Sequence, residues 1–169
     1  SGHTEDAVFV LSDTHFGDVI RHSDTSGFPE YDLEIAGNRF GYVIDKAKQV
    51  LSLHRAMYPI KTLHIPILGD IGQGMLHDSP QSNALFLPAM VYFSYQMLRM
   101  GIEDLLTLVD TGVVENLNLL FSVGNHMRLD EHMPMKYQAQ LTLDWLIYQL
   151  LIEKFKDDKF FDTHLALGG

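Results

Sequence analysis

Residues 8–18 read VFVLSDTHFGD. Val8, Phe9, Val10 and Leu11 are a short unbroken apolar run, closed by Ser, Asp and Gly. Such a run predicts a strand buried on both faces of a parallel sheet. Asp13 and His15 follow at its C-terminal end. Open α/β sheets bind ligands at that end, because the loops leaving the strands converge there. A carboxylate and an imidazole two residues apart can face one metal ion, and oxygen with nitrogen suits Zn, Mn or Fe. Asp-x-His alone is common in loops, so its weight depends on matching residues at other strand ends.

Two other stretches match. Residues 62–68 are apolar and run into Gly69-Asp70-Ile71-Gly72-Gln73-Gly74. Pro66 would remove a ladder donor, which predicts an edge position or a bulge. Residues 118–123 form a third strand ending in Gly124-Asn125-His126-Met127-Arg128. Asp13 and Asp70 are 57 residues apart, and Asp70 and Asn125 are 55 apart. Each gap is long enough for the helical crossover that a parallel pair requires. Apolar residues at spacings of three and four over 31–58 predict the first crossover helix, starting at 36–39 and ending before Pro59. Residues 83–100 predict a buried helix with Pro88 in its first turn or kinking it, and 102–111 a second helix beyond Gly101. Residues 138–155 predict a further helix, and 160–167 the start of another strand. The fold class is therefore α/β, with Asp13, His15, Asp70, Asn125 and His126 brought to one edge of a parallel sheet.

The residue types set the chemistry. Hard oxygen ligands with a few imidazoles and no sulfur suit a pair of divalent ions such as Mn²⁺, Fe²⁺ or Zn²⁺. Asp70 has two oxygens and could bridge them. Such a pair, about 3.5–4 Å apart, clamps a phosphate and orients a hydroxide. His126 adjoins a ligand and could protonate a leaving group. Glycines before Asp70 and Asn125 permit tight turns and close backbone approach.

Composition narrows the classes. The chain has 169 residues, enough for one domain with a sizeable core. It is 46% hydrophobic and 20% charged, as ordinary globular domains are. It has no cysteine, which excludes disulfides and thiolate chemistry and fits a reducing cytoplasm. No apolar stretch reaches membrane-spanning length. A net charge of −10 argues against broad adhesion to DNA or anionic lipid, though bound divalent ions would reverse the field within a cleft. Ser1-Gly2-His3 has no initiator Met and reads as a cloning remnant.

Asp13-Thr14-His15, Gly69-Asp70 and Gly124-Asn125-His126, in that order on successive strands, resemble the first three motifs of the calcineurin-like metallophosphoesterases. LSDTHFGD resembles the nuclease branch, that of the SbcD-type DNA exonucleases. GDIGQGMLHDS and the segment around DWLIYQLL look like phage-encoded phosphoesterases near that branch. The resemblance implies an αββα sandwich of two sheets flanked by helices. It implies two divalent ions, Mn²⁺ foremost, with Asp13, His15 and Asp70 on the first and Asp70 and Asn125 on the second. It implies hydrolysis of a phosphoester, DNA included, with His126 acting on the phosphoryl or leaving group. A phosphomonoesterase or nucleotide hydrolase with the same metals remains an alternative. So does an inactive fragment or interaction module that self-associates.

The sequence departs from the family twice. Met127 stands where the family usually has an acidic residue after Gly-Asn-His. Arg128 could hold a phosphate by a bidentate contact, or merely cap a helix or form a surface pair. The family's later motifs, a single His and then Gly-His-x-His, are absent, so the resemblance covers about the N-terminal two thirds of a full domain. His77, in the loop leaving the second strand, is a further substrate-facing candidate.

Overall fold

The computed structural model describes residues 3–27, 29–76, 83–132 and 137–166. Strands and helices alternate: β1 (Glu5–Val8), α1 (Leu33–Arg55), β2 (Ile60–Ile67), α2 (Leu87–Asp110), β3 (Val114–Phe121), α3 (Leu143–Phe155) and β4 (Phe161–Leu165). The strands form one parallel sheet in the order β1-β2-β3-β4. Every connection steps the same way, so right-handed crossovers place all three helices on one face. Consistent with that, α1 packs on α2 and α2 on α3. Leu63, Ile65, Ile67, Leu117, Leu119 and Phe121 turn into this helix layer and are at most 2% exposed. Each contributes about 1.5–3 kcal/mol by burial. His64, Pro66, Asn118 and Leu120 alternate with them and are half-buried on the opposite face. Among the described residues there is one sheet.

Several expectations need correcting. The first strand is not buried on both faces: Val8 and Val10 are 65% and 53% exposed. β1 is an edge strand, and among the described residues no helix covers its second face. Its ladder still reaches Leu11, since Phe9 N–H donates to the His64 carbonyl (2.9 Å) and Leu11 N–H to that of Pro66 (2.8 Å). Pro66 occupies neither an edge nor a bulge. It lies inside the sheet, in unbroken register opposite Leu120 of β3. The N and C=O of a strand residue point the same way, and the Pro66 carbonyl serves β1. The donor that proline lacks therefore falls on the Phe9 side, where β1 is giving way to loop.

Residues 83–100 and 102–111 do not form two helices. α2 runs unbroken through Gly101, with Pro88 in its first turn. A Cβ on Gly101 would lie 2.6 Å from Phe40 Cε1, so the glycine is where α1 and α2 approach closely rather than a helix stop. α1 starts at Leu33 because Asp32 caps it, its carboxylate accepting from Ile35 N–H (2.8 Å). The predicted helix over 138–155 is divided into a 3₁₀ turn (Gln138–Leu141) and α3. The divide is Thr142, whose extended backbone and hydroxyl, accepting from Trp145 N–H (3.1 Å), make it the cap of α3. β3 begins at Val114, four residues before the predicted start.

Candidate metal centre

The loop after β1 continues the parallel pairing beyond the strands. Asp13, His15 and Phe16 N–H donate to the carbonyls of Gly69, Asp70 and Ile71, and Gln73 N–H returns to that of Phe16. The Thr14 hydroxyl adds a bond to the Ile71 carbonyl (2.8 Å). Where these two loops pair, Asp13 (φ +53°), His15 (φ +43°) and Asp70 (φ +50°) have left-handed backbones. Asp and His tolerate that region better than most residues, at a cost of about 1–3 kcal/mol each.

The third loop is drawn in by a carboxylate. Asp70 Oδ1 accepts from the N–H groups of Asn125 and His126, both at 2.8 Å. The packing is close enough that a Cβ on Gly69 would strike the Gly124 backbone, and one on Gly124 would strike Asp70. Gly69 also needs its glycine for φ +88°. Beneath the junction lies Asp144 of α3, 0% exposed. Its carboxylate accepts from Gly124 (2.9 Å), Asp70 (3.2 Å) and Ile71 (3.4 Å) N–H. Burial raises its pKa to about 6, against the pull of those three donors, and the Asp70 charge adds to the rise. Tyr148, whose hydroxyl donates to the Ser122 carbonyl (3.0 Å), is raised by burial and then by the charge of Asp144.

These constraints bring one nitrogen of His15, one of His126 and a carboxylate oxygen of Asp70 within 4.8 Å of one another. The rings meet edge to face, with centroids 4.5 Å apart. Two donors on one ion with bonds near 2.1 Å sit about 3–4 Å apart, so small side-chain rotations close the set. Asp13 stands beside it, Oδ1 being 3.8 Å from His15 Nε2. The cluster borders an open cleft of about 370 Å³ lined by Asp13, Thr14, Asp18, Tyr31, Gln73 and others. Tyr31 donates its hydroxyl to the Thr14 carbonyl (2.6 Å), and its pKa is raised by burial and by Asp18, against Arg39.

Of the residues singled out in the sequence, His15, Asp70 and His126 converge, with Asp13 adjacent. Asn125 enters through its backbone, and its side chain is exposed. Arg128 folds onto its own loop, Nε donating to the Asn125 carbonyl (2.8 Å). His77 lies outside the described residues. Met127 is fully buried, its sulfur filling the space left by Gly72. An acidic residue there would not reach the His126 ring without breaking that packing, and the ring finds its partner at Gln73 instead: Nδ1 lies 3.2 Å from the Gln73 carbonyl.

Gln73 and Asp144 were not visible as site residues in the sequence. Asp144 did carry a signal, because it shares the buried stripe of α3 with Tyr148, Leu151 and Phe155. An ionisable residue on such a stripe requires a partner. Gln73 carried none beyond its two flanking glycines.

Fold and cluster together define an α/β protein with a candidate metal site at the C-terminal ends of parallel strands. Compared with protein-family models, with curated proteins and with solved structures, the chain matches none. No helix among the described residues is long and apolar enough to cross a membrane.

Proposed function

We propose that this chain is a divalent-metal-dependent phosphoesterase of the calcineurin-like kind, acting on a phosphodiester such as the DNA backbone. The observation that carries this reading is the convergence of His15, Asp70 and His126 from the loops after three adjacent parallel strands. Nitrogen and oxygen donors without sulfur fit Mn²⁺, Fe²⁺ or Zn²⁺. His15, Asp70 and His126, with Asp13 beside them, would hold one ion. Asp70 and the Asn125 side chain would hold a second. Ions bound there would supply Lewis acidity and a hydroxide nucleophile at neutral pH. The same reading places a second sheet against the open face of this one, completing an αββα sandwich.

The chain's own groups prepare the site. Asp70 is fixed by two N–H donors on one oxygen, which leaves its other oxygen to turn toward the histidines. Asp13 and Asp18 make the cleft acidic, and among its described lining residues there is no lysine or arginine. A phosphate is repelled by that lining until cations are in place, so activity should depend strictly on metal. Where His126 is not a ligand, its Nε2 would instead carry the proton for a leaving oxygen, its Nδ1 resting on the Gln73 carbonyl.

Titration calorimetry with Mn²⁺ on this chain, alongside hydrolysis of bis(p-nitrophenyl) phosphate, tests the reading. Saturable binding and Mn²⁺-dependent turnover are expected, both lost in Asp70→Asn. Wild-type turnover in that variant would overturn the assignment. His126→Ala separates two roles: lower turnover with metal retained makes it the proton donor, and loss of metal makes it a ligand.

A further inference from the structure

Both histidines of the cluster rest on a single residue. Gln73 is 6% exposed. Its side-chain Oε1 lies 2.7 Å from His15 Nδ1, and its main-chain oxygen 3.2 Å from His126 Nδ1. We infer that Gln73 is the positioning residue of this centre, holding a proton on Nδ1 of both rings so that each presents its Nε2 lone pair to the ion. The inference rests on the metal-site reading above.

The physical argument begins with the imidazole. A neutral ring has one N–H and one lone pair, and only the lone pair binds metal. In water the proton ordinarily favours Nε2, the wrong nitrogen for a ligand that must reach out through its tip. An acceptor aimed at Nδ1 reverses that preference and sets ring orientation. For His15 the result is an Nε2 that faces Asp13.

Gln73 is itself held rigidly. Its N–H donates to the Phe16 carbonyl (3.1 Å), tying it to the loop that carries His15. A Cβ on Gly72 would lie 2.7 Å from Met127 Sδ, and one on Gly74 would collide with the His126 carbonyl. The glycines on either side thus let the loop press against His126 and Met127, so that one residue reaches both rings. The two contacts differ in kind. A main-chain carbonyl can only accept, so it fixes His126 whatever the side chain at 73. The amide side chain fixes His15 by virtue of its oxygen, and substitution removes it. His126 is therefore an internal control for His15.

The test is a long-range ¹H–¹⁵N correlation of the imidazoles in the metal-free chain at pH 8.5. In the wild type both rings should carry the proton on Nδ1. In Gln73→Ala, His15 should shift toward the Nε2–H form while His126 keeps its own. Gln73→Glu, which retains an acceptor, should restore His15. Mn²⁺ affinity should fall about tenfold to a hundredfold in Gln73→Ala and recover in Gln73→Glu. A wild-type His15 protonated at Nε2 would overturn the inference and needs no variant to be seen. An unmoved His15 in Gln73→Ala, or unchanged affinity there, would overturn it too. Failure of the wild type to bind Mn²⁺ would instead sink the metal reading, and the tautomers would still be decided by the spectra.

Discussion

The layer between sheet and helices and the C-terminal edge of the same sheet follow opposite rules. In the layer, Ile65, Leu98, Leu105 and Leu119 are 0% exposed, in strand or helix conformations their sequence favours. At the edge, Asp13, His15 and Asp70 hold backbone angles that most side chains avoid, and a carboxylate, Asp144, is buried beneath them. The layer needs apolar volume, which many residues supply. The edge needs particular donors at particular atoms, and other elements hold them there: α3 through Asp144, the β2 loop through Gln73. Strain of this sort persists where the surroundings over-determine it. Stability and the candidate chemistry are therefore separable by substitution, with the largest stability effects in the layer.

Leu105→Ala should break the layer alone. Truncating a fully buried leucine costs about 2–5 kcal/mol, and urea denaturation should show a loss near 3 kcal/mol. Metal affinity per folded molecule should stay at the wild-type value. A selective loss of Mn²⁺ binding, with little loss of stability, would mean that the two regions are not separable.

Asp144 joins the regions and gives a pH signature. Its folded pKa, about 6, lies above the ordinary carboxyl value of 3.8, so folding favours its protonated form. For a raised carboxyl, the stabilisation is fully present below the unfolded pKa and is lost as pH rises through the folded one. The unfolding free energy of the metal-free chain should thus fall between about pH 4 and pH 6.5, by on the order of 3 kcal/mol from this group. Asp144→Asn should remove that component of the profile. Urea titrations of both proteins across this range, with chelator present, measure it, and parallel profiles would refute it.

Much of the layer was legible in the sequence because burial writes a period into it. The alternation of strands with 3–4-spaced apolar segments gave three crossovers and a parallel sheet, and the glycine-flanked acids and histidines marked its edge. What misled were residues whose usual meaning is local but whose role here is tertiary. Gly101 and Pro66 are ordinary breakers, yet one admits Phe40 into a helix interface and the other puts its missing donor at a strand's frayed end. Thr142 capped a helix inside a run that looked continuous. Gln73 could not be read at all, because a glutamine between glycines does not show that two imidazoles will meet it from different strands.

Asp13→Gly gives the smallest stability effect and the sharpest separation of edge from layer. Asp13 has φ +53°, and its side chain is 66% exposed, next to the Ser12 hydroxyl and His15. Glycine accepts that backbone angle without strain, which returns about 1–2 kcal/mol. It also adds about 0.4–1 kcal/mol of unfolded-chain entropy, which offsets about half of the gain. The two changes should leave stability within about 1 kcal/mol of wild type, on the favourable side. The same substitution removes a carboxylate beside the metal cluster, and Mn²⁺ binding should weaken by at least about tenfold, as loss of a ligand or its immediate neighbour does. Urea denaturation and calorimetry on one preparation read both numbers. A destabilisation above about 2 kcal/mol would show that Asp13 holds the fold instead of spending strain at the edge.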